Sequence, residues 1–325
     1  MTSKHKKFLY LLIMISIITA IISLGVGSAN LKFSDFLALI NGELTHGKSI
    51  ILFEIRFPRV VMALMIGTLL AVSGVVSQNV FLNPVADPYI IGIASSATFG
   101  AVLAYLLGAP DIFYGAFAFV FSALLSLMIY KLYNRAKSVA TLLIIGIAFS
   151  SFLGAFTSFA TYMIGEQSFK IVAWMMGYLG GASWSKIGII ALPLIFTLIY
   201  FHSKRYELNI LLSGDEEAKS LGVDVATLKK RLLIVTALAV SFSIAFTGMI
   251  GFVGLIIPHT VRLLFRTSNN AIVMPFSAVI GALFLLLCDL IGKSILAPTE
   301  IPIGVVTAFF GAPFFLVLAL RGRPR

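Results

Sequence analysis

The apolar positions of this chain gather into long unbroken runs. Stretches of about 20 residues, the length a helix needs to cross a hydrocarbon layer, lie at 8–29, 60–82, 88–107, 112–132, 139–163, 187–203, 232–252, 271–292 and 302–320. Basic residues cluster between them: Lys4/Lys6/Lys7, Lys131/Arg135/Lys137, Lys204/Arg205, Lys229/Lys230/Arg231 and Arg321/Arg323/Arg325. Such clusters mark the cytoplasmic side. After residue 231, three crossings would leave the last arginines outside. A short tenth span over roughly 255–267, in "GFVGLIIPHTVRLLF", restores parity. Gly251, Gly254 and Pro258 are expected to break the helix before it, and its length requires shelter by surrounding protein. Both termini then face the cytoplasm. Of the 24 basic residues only Lys32, Lys48, Arg56, Arg59, Lys170, Lys186 and Lys293 fall outside. The short, glycine-broken segment 171–184 is expected as an outer-surface helix and loop.

An internal repeat adds topology. "LAVSGVVSQNVFLNP" (70–84) aligns without gaps on "IAFTGMIGFVGLIIP" (244–258), sharing Ala, Gly and Pro. The two copies fall in oppositely directed spans, as inverted halves with broken helices require. The expected fold is an all-α membrane protein of ten transmembrane helices in two inverted five-helix halves, one domain over residues 1–325.

Composition narrows the function. The chain is 59% apolar and carries 24 Lys and Arg against 13 Asp and Glu, a net charge of +11, with mean hydropathy +1.04. A basic balance can signal nucleic acid, but here the cations sit at the ends of apolar runs, where they anchor helices, so nucleic acid is excluded as a partner and the lipid bilayer is implied. The single Cys288 permits no internal disulfide, and His5, His46, His202 and His259 lack metal-ligand spacing. Phe8–Ala29, behind three lysines, imitates a signal peptide but is long enough to span. "GELTHGKS", Gly42–Ser49, satisfies the phosphate-loop pattern. That pattern works only between a strand and a helix, and here it occupies a short outer loop.

The remaining chemistry-bearing residues are few. Arg56 and Arg59 flank Pro58 at the outer mouth of the second span, either as interfacial anchors or as a docking surface for an acidic partner. Lys293 ends a span on the same side; it joins them or pairs with Asp289 one turn earlier. Asp289 and Asp87 are the acids nearest the hydrocarbon and are expected to make structural hydrogen bonds, and His259 is expected to cap a helix after Pro258. Gly304, Ala308, Gly311 and Ala312 form a small-residue stripe on the last span, for tight packing or a smooth pathway wall. The acids Asp215–Glu217 open a two-turn helix: Ser213 and Glu216 have capping-box spacing, and Gly222 supplies the stop. Between two cytoplasmic span ends, this segment makes a polar knob suited to a socket.

Together, "RFPRVVMALMIGTLLAVSGVVSQNVFLNPVADPYIIG", "SGDEEAKSLGVDV", "GFVGLIIPHTVRLLF" and "EIPIGVVTAFFGAPFF" resemble the permease family of ATP-binding-cassette importers for iron siderophores, haem and cobalamin, the FecCD family. The resemblance runs from about residue 50 to the C-terminus. It implies a homodimeric permease in the inner membrane of a prokaryote, with no covalent chemistry and no cofactor of its own, since ATP and Mg are used by two separate ATPase subunits. By the same resemblance a coupling loop at about 207–224, through Gly214, Asp215, Glu216, Glu217, Ala218, Leu221 and Gly222, docks in the ATPase. Arg56 and Arg59, with Lys293 at a third position, dock an extracytoplasmic substrate-binding protein. The inner gate falls at Ser138, Val139, Ala140 and Thr141, with Gly304, Ala308 and Gly311 along the pathway. Val139 and Ala140 depart from the small polar pair that the resemblance leads one to expect. Two other classes compete. An ion-coupled secondary transporter also fits inverted repeats but wants midplane charge, and a membrane enzyme wants paired carboxylates or a histidine cluster in one cavity.

Overall fold

The computed structural model describes residues 2–27, 33–89, 92–110, 112–133 and 139–321, and every regular element among them is helical. In chain order these are α1 (Ser3–Gly25), α2 (Phe33–Ile40), α3 (His46–Ile50), α4 (Phe57–Val80), α5 (Ile93–Leu106), α6 (Ile112–Tyr133), α7 (Val139–Ile164), α8 (Phe169–Met175), α9 (Trp184–Ser203), α10 (Arg205–Leu211), α11 (Asp215–Ser220), α12 (Val225–Thr247), α13 (Val253–Phe265), α14 (Asn270–Ser294) and α15 (Ile303–Arg321). A π-helical turn, Ile51–Arg56, joins α3 to α4 without a break. Among the described residues six helices are long and apolar enough to cross a membrane: α1, the continuous His46–Val80, the Ile144–Ile164 part of α7, α9, α12 and α14. Shorter apolar helices are α5, Ile112–Met128, α13 and Ile303–Val317.

The core is built on α4 and α12. α4 runs antiparallel to α14, with Arg59 beside Asp289 at one end, Gly67 against Gly281 in the middle and Asn79 beside Asn270 at the other. α12 runs antiparallel to α6 in the same manner, Gly115 against Ala245 and Phe119 against Phe242. The correspondence extends further: α5 packs on α6 and α7 as α13 packs on α14 and α15, and α12 meets α5 as α4 meets α13. It therefore covers four helices per half, α4–α7 and α12–α15. α1 packs on α14 and α4, whereas α9 packs on α4 and α12, so the fifth helix of each half breaks the relation.

Where the helices break differs from the sequence expectation. The run at 88–107 is helical only from Ile93, because Asn83 and Asp87 turn the chain before their prolines, accepting from Val85 N at 3.0 Å and Tyr89 N at 2.8 Å. α12 stops at Thr247, where Gly248 takes φ +68°, and not at Gly251, Gly254 or Pro258; the last two lie inside α13. His259 therefore sits in mid-helix, edge-on to Phe314, and caps nothing. The break after Val80 pairs with the break after Thr247, so the gap-free alignment that matched Val80 to Gly254 is out of register. Residues 176–179 are tied to the ends of two other helices. Tyr178 N donates to Thr247 O at 2.7 Å and Gly304 N to Met176 O at 3.0 Å, which closes the α12–α13 break against the start of α15.

Close approach sets the packing. A Cβ at Gly74 would lie 1.9 Å from Gly254 O, and one at Gly67 2.3 Å from Gly281 O, so α4 meets α13 and α14 backbone to backbone. Ser96, buried between α5 and α6, bridges them by donating to Phe121 O at 2.8 Å.

Candidate functional site

The knob is assembled from α10, α11 and the start of α12. Leu208 and Leu211 of α10 are fully buried, and Asn209 ties the element to the core: its Oδ1 accepts from Asn270 N at 2.7 Å and Asn270 Nδ2 at 2.9 Å. Asn270 Oδ1 in turn accepts from Asn79 Nδ2 at 2.9 Å. An asparagine chain thus joins α10 to α14 and α4. Asn79 and Asn270 are fully buried and Asn209 half-buried, and buried amides hold a geometry that keeps their donors paired.

α11 begins at Asp215, and Gly214 is its N-cap at φ +107°, a conformation suited to glycine. The capping box expected from Ser213 and Glu216 does not form, because Gly214 intervenes and places Glu216 one position early; Ser213 Oγ donates instead to Ile210 O at 2.7 Å. The three acids still load the first turn, where the helix dipole favours them. The expected stop is present as a Schellman turn: Gly222, at φ +84°, donates from N to Lys219 O at 2.9 Å, and Val223 N to Ala218 O at 3.0 Å. Asp224 then caps α12 by accepting from Thr227 N at 3.1 Å, and hydrogen bonds from the Thr227 side chain and then its backbone hold the carboxyl below the usual carboxylate range.

The acids of the knob play different parts. Asp215 is pinned by Lys229, whose buried Nζ donates to its two oxygens at 2.6 and 2.8 Å. Ala218 is fully buried against its own chain. Ala218 thus fixes the knob's shape from within, whereas Asp215 keeps 40% of its side chain accessible beside Lys229. Glu216, Glu217, Leu221 and Gly222 are exposed, with Leu221 65% accessible beside the carboxylates. Lys229 was not singled out from the sequence. Its spacing from Val225 and Leu232 puts it on the buried face of α12, and that was the available signal.

At the opposite end of α4 and α14, the cations expected on an outer surface are turned inward. Arg59 Nε donates to Asp289 Oδ1 at 2.8 Å, and its Nη1 to both oxygens of Glu300 at 2.9 Å. Arg56 Nη1 donates to Leu24 O at 2.6 Å. Lys293 Nζ donates to Ser23 O and Oγ at 2.7 and 2.8 Å and lies 3.7 Å from Asp289 Oδ2. Arg56, Lys293 and Asp289 are all buried. Glu300 and Ser23, absent from the sequence reading, complete the network. Asp87, as expected, is a hydrogen-bonding turn residue.

The other candidates separate. Gly304 abuts Met176 O and Met249 O, and Gly311 abuts the Phe252 ring, so this part of the stripe is filled by the protein itself; Ala308 is half-buried and Ala312 exposed. Of the gate residues, Ser138 and the side chains of Val139 and Ala140 lie outside the described residues, and Thr141 is half-buried near the start of α7. In "GELTHGKS", Gly47–Ser49 are helical in α3, a turn and not a strand precedes them, and Lys48 pairs with Asp35 at 2.7 Å.

Residues 13–321 match the FecCD transport family. The cobalamin import system permease protein of Halobacterium salinarum is 39% identical, over 84% of this chain and 74% of its own length. The molybdate import system permease protein of Haemophilus influenzae is 33% identical, over 98% of this chain and 96% of its own. A solved structure, an inward-facing conformation of a putative metal-chelate type ABC transporter, superposes with a TM-score of 0.87 at 33% identity, covering 97% of this chain and 99% of that one.

Proposed function

The chain belongs to the FecCD transport family, and from that premise we propose that it is the membrane-spanning permease of an ATP-driven importer that takes up a metal chelate delivered by an extracytoplasmic binding protein. The family consists of transport subunits, so ATP hydrolysis falls to a separate polypeptide. The observation that carries the reading is the knob: a short helix locked at both ends, with Glu216, Glu217 and Leu221 exposed and its root tied to α14 and α4 through Asn209 and Asn270. A body seated on that exposed face can push on the helix pair without deforming the linkage. The cargo belongs to the iron siderophore, haem or cobalamin class, and the similarity to a molybdate permease keeps oxyanions within the candidate range.

A second copy of the chain completes the pathway, on the apolar side chains that α7 and α15 leave uncovered, among them Ile144, Phe152, Phe159 and Phe309. The gate at Ser138, Val139, Ala140 and Thr141 belongs to the same reading. On the outer face, docking through Arg59 requires an acidic partner that competes with Asp289 and Glu300 for the guanidinium, while Arg56 and Lys293 hold the mouth from within. An ion-coupled mechanism is not favoured, because the buried acid Asp289 is already engaged by Arg59 and Lys293.

Co-purification of the ATPase subunit with tagged permease tests the assignment. Glu216→Lys combined with Glu217→Lys, or Leu221→Asp, is expected to reduce the retained ATPase at least tenfold without altering the permease's elution profile. Wild-type retention by both variants would sink the docking role.

A further inference from the structure

Beside the knob lies a cation with no carboxylate partner among the described residues. Arg262, half-buried on α13, donates from Nη1 to Gln78 Oε1. Gln78 is oriented by its own Nε2, which donates to Leu255 O at 3.0 Å and Gly254 O at 3.4 Å, so its carbonyl is aimed at the guanidinium. A guanidinium has five N–H donors, and one neutral amide does not balance its charge. Of the other inward-turned cations, Arg59 has Asp289 and Glu300, Lys293 has Asp289 and Lys229 has Asp215, while Arg56 donates to Leu24 O. Among the described residues Arg262 has no carboxylate. The half-buried guanidinium lines an open cavity and keeps donors for an incoming acceptor.

Arg262 faces a cavity of about 400 Å³ with Gln78, Asn83, Ser213, Gly214 and Ser268 on its wall beside the apolar Leu82, Pro84 and Leu212. Its lining sets it apart from two of the larger grooves between membrane helices. One of about 490 Å³ between α1, α4 and α14 is walled by side chains such as Ile17, Leu24, Val60 and Leu64. One of about 560 Å³ lies along α9 and α14, with Leu198, Ile199 and Met274. Those surfaces suit acyl chains. The Arg262 cavity offers amides, hydroxyls and a guanidinium, the donors that a carboxylate uses.

We propose that this cavity receives a carboxylate side chain of the ATPase subunit, which pairs with Arg262 when the knob is seated. The inference rests on the reading that the knob docks that subunit. Ser213 and Gly214, at the root of the knob, form one wall of the cavity, so a body covering Glu216, Glu217 and Leu221 borders its mouth. A socket that complements those acids is basic, and an acid placed next to it for Arg262 reverses the polarity over a short distance. Alternating signs fix register where a single patch of one sign does not.

The complex of full-length permease with its ATPase provides the test. Arg262→Glu is expected to lower the ATPase retained on tagged permease at least tenfold, about 1.4 kcal/mol of association, Arg262→Gln by a smaller factor, and Arg262→Lys least. If Arg262→Glu retains the ATPase while Glu216→Lys/Glu217→Lys loses it, the inference fails and knob docking stands; if both retain it, knob docking fails as well. Loss by Arg262→Lys equal to that by Arg262→Glu would also overturn the charge pairing. A second measurement keeps the native arginine and does not depend on how those variants fold. Ser268→Cys, at the exposed rim with the native Cys288 buried, is labelled by an impermeant maleimide in inside-out vesicles. Protection by bound ATPase supports the inference; equal labelling with and without ATPase, or protection by inorganic phosphate alone, overturns it.

Discussion

Asp289 holds two cations at once. It accepts from Arg59 at 2.8 Å, faces Lys293 at 3.7 Å, and has about 1% of its side chain accessible. Removing one member of a buried ion network leaves uncompensated charge, which costs about 3–5 kcal/mol. Asp289→Asn is therefore expected to lower the thermal midpoint of the detergent-solubilised protein by several degrees, whereas Lys219→Ala, which breaks only the exposed pair with Glu216, is expected to leave it unchanged; differential scanning fluorimetry compares the two. The pairing of Asp289 with Lys293 was legible in the sequence, because four residues separate them on one helix. Arg59 is 230 positions away, and nothing local in "RFPRV" tells a snorkelling arginine from one folded back on a distant acid. Lys229 shows the same limit in reverse: a cluster of three cations reads as a solvated helix start, yet the helical phase turns one of them inward to Asp215.

Helices break where backbone geometry breaks them, and the sequence offered several glycines and prolines for each break. The expectation chose Gly251, Gly254 and Pro258, but Gly254 is needed inside α13 for contact with α4, and Gly248 takes the positive φ. Which glycine serves which purpose depends on the partner helix, so the existence of the short helix was readable and its start was not. The crossing itself gives a sharp expectation. At Gly74 a methyl group would lie 1.9 Å from Gly254 O, so Gly74→Ala must push two backbones apart and is expected to destabilise by about 1–3 kcal/mol. At Gly188 of α9 nothing lies within 4 Å of a built Cβ, and Gly→Ala in a helix interior stabilises by up to about 1 kcal/mol. Opposite shifts in the thermal aggregation midpoint of the two variants are the result to look for; equal behaviour would mean that α4 and α13 do not meet as described.

On the scale of the molecule, α4 and α14 form a rod between two polar networks. One end carries Arg59, Asp289 and Glu300, the other Asn79, Asn270 and Asn209, and the middle is the tight Gly67–Gly281 contact. Packed backbones and buried hydrogen bonds switch between discrete arrangements and do not stretch, so a push on the knob at α10 reaches the outer network only if the asparagine chain holds. Asn270→Ala weakens the middle link: Asn209 Oδ1 loses the Nδ2 donor and keeps the backbone N–H of residue 270, while Asn79 Nδ2 loses one acceptor and keeps Val75 O, two hydrogen bonds of about 0.5–1.5 kcal/mol each. The exposed face of the knob is untouched by this change, so ATPase binding and basal hydrolysis are expected to persist. Transport measured per ATP hydrolysed in proteoliposomes is expected to fall about tenfold, the equivalent of some 1.4 kcal/mol of lost coupling. Asn270→Asp, which keeps the acceptor toward Asn79 but replaces the side-chain donor toward Asn209 with a carboxylate oxygen facing Asn209 Oδ1, should recover little. A ratio unchanged from wild type in both variants would show that force enters the membrane helices elsewhere, through α12 and the Lys229–Asp215 pair at its foot.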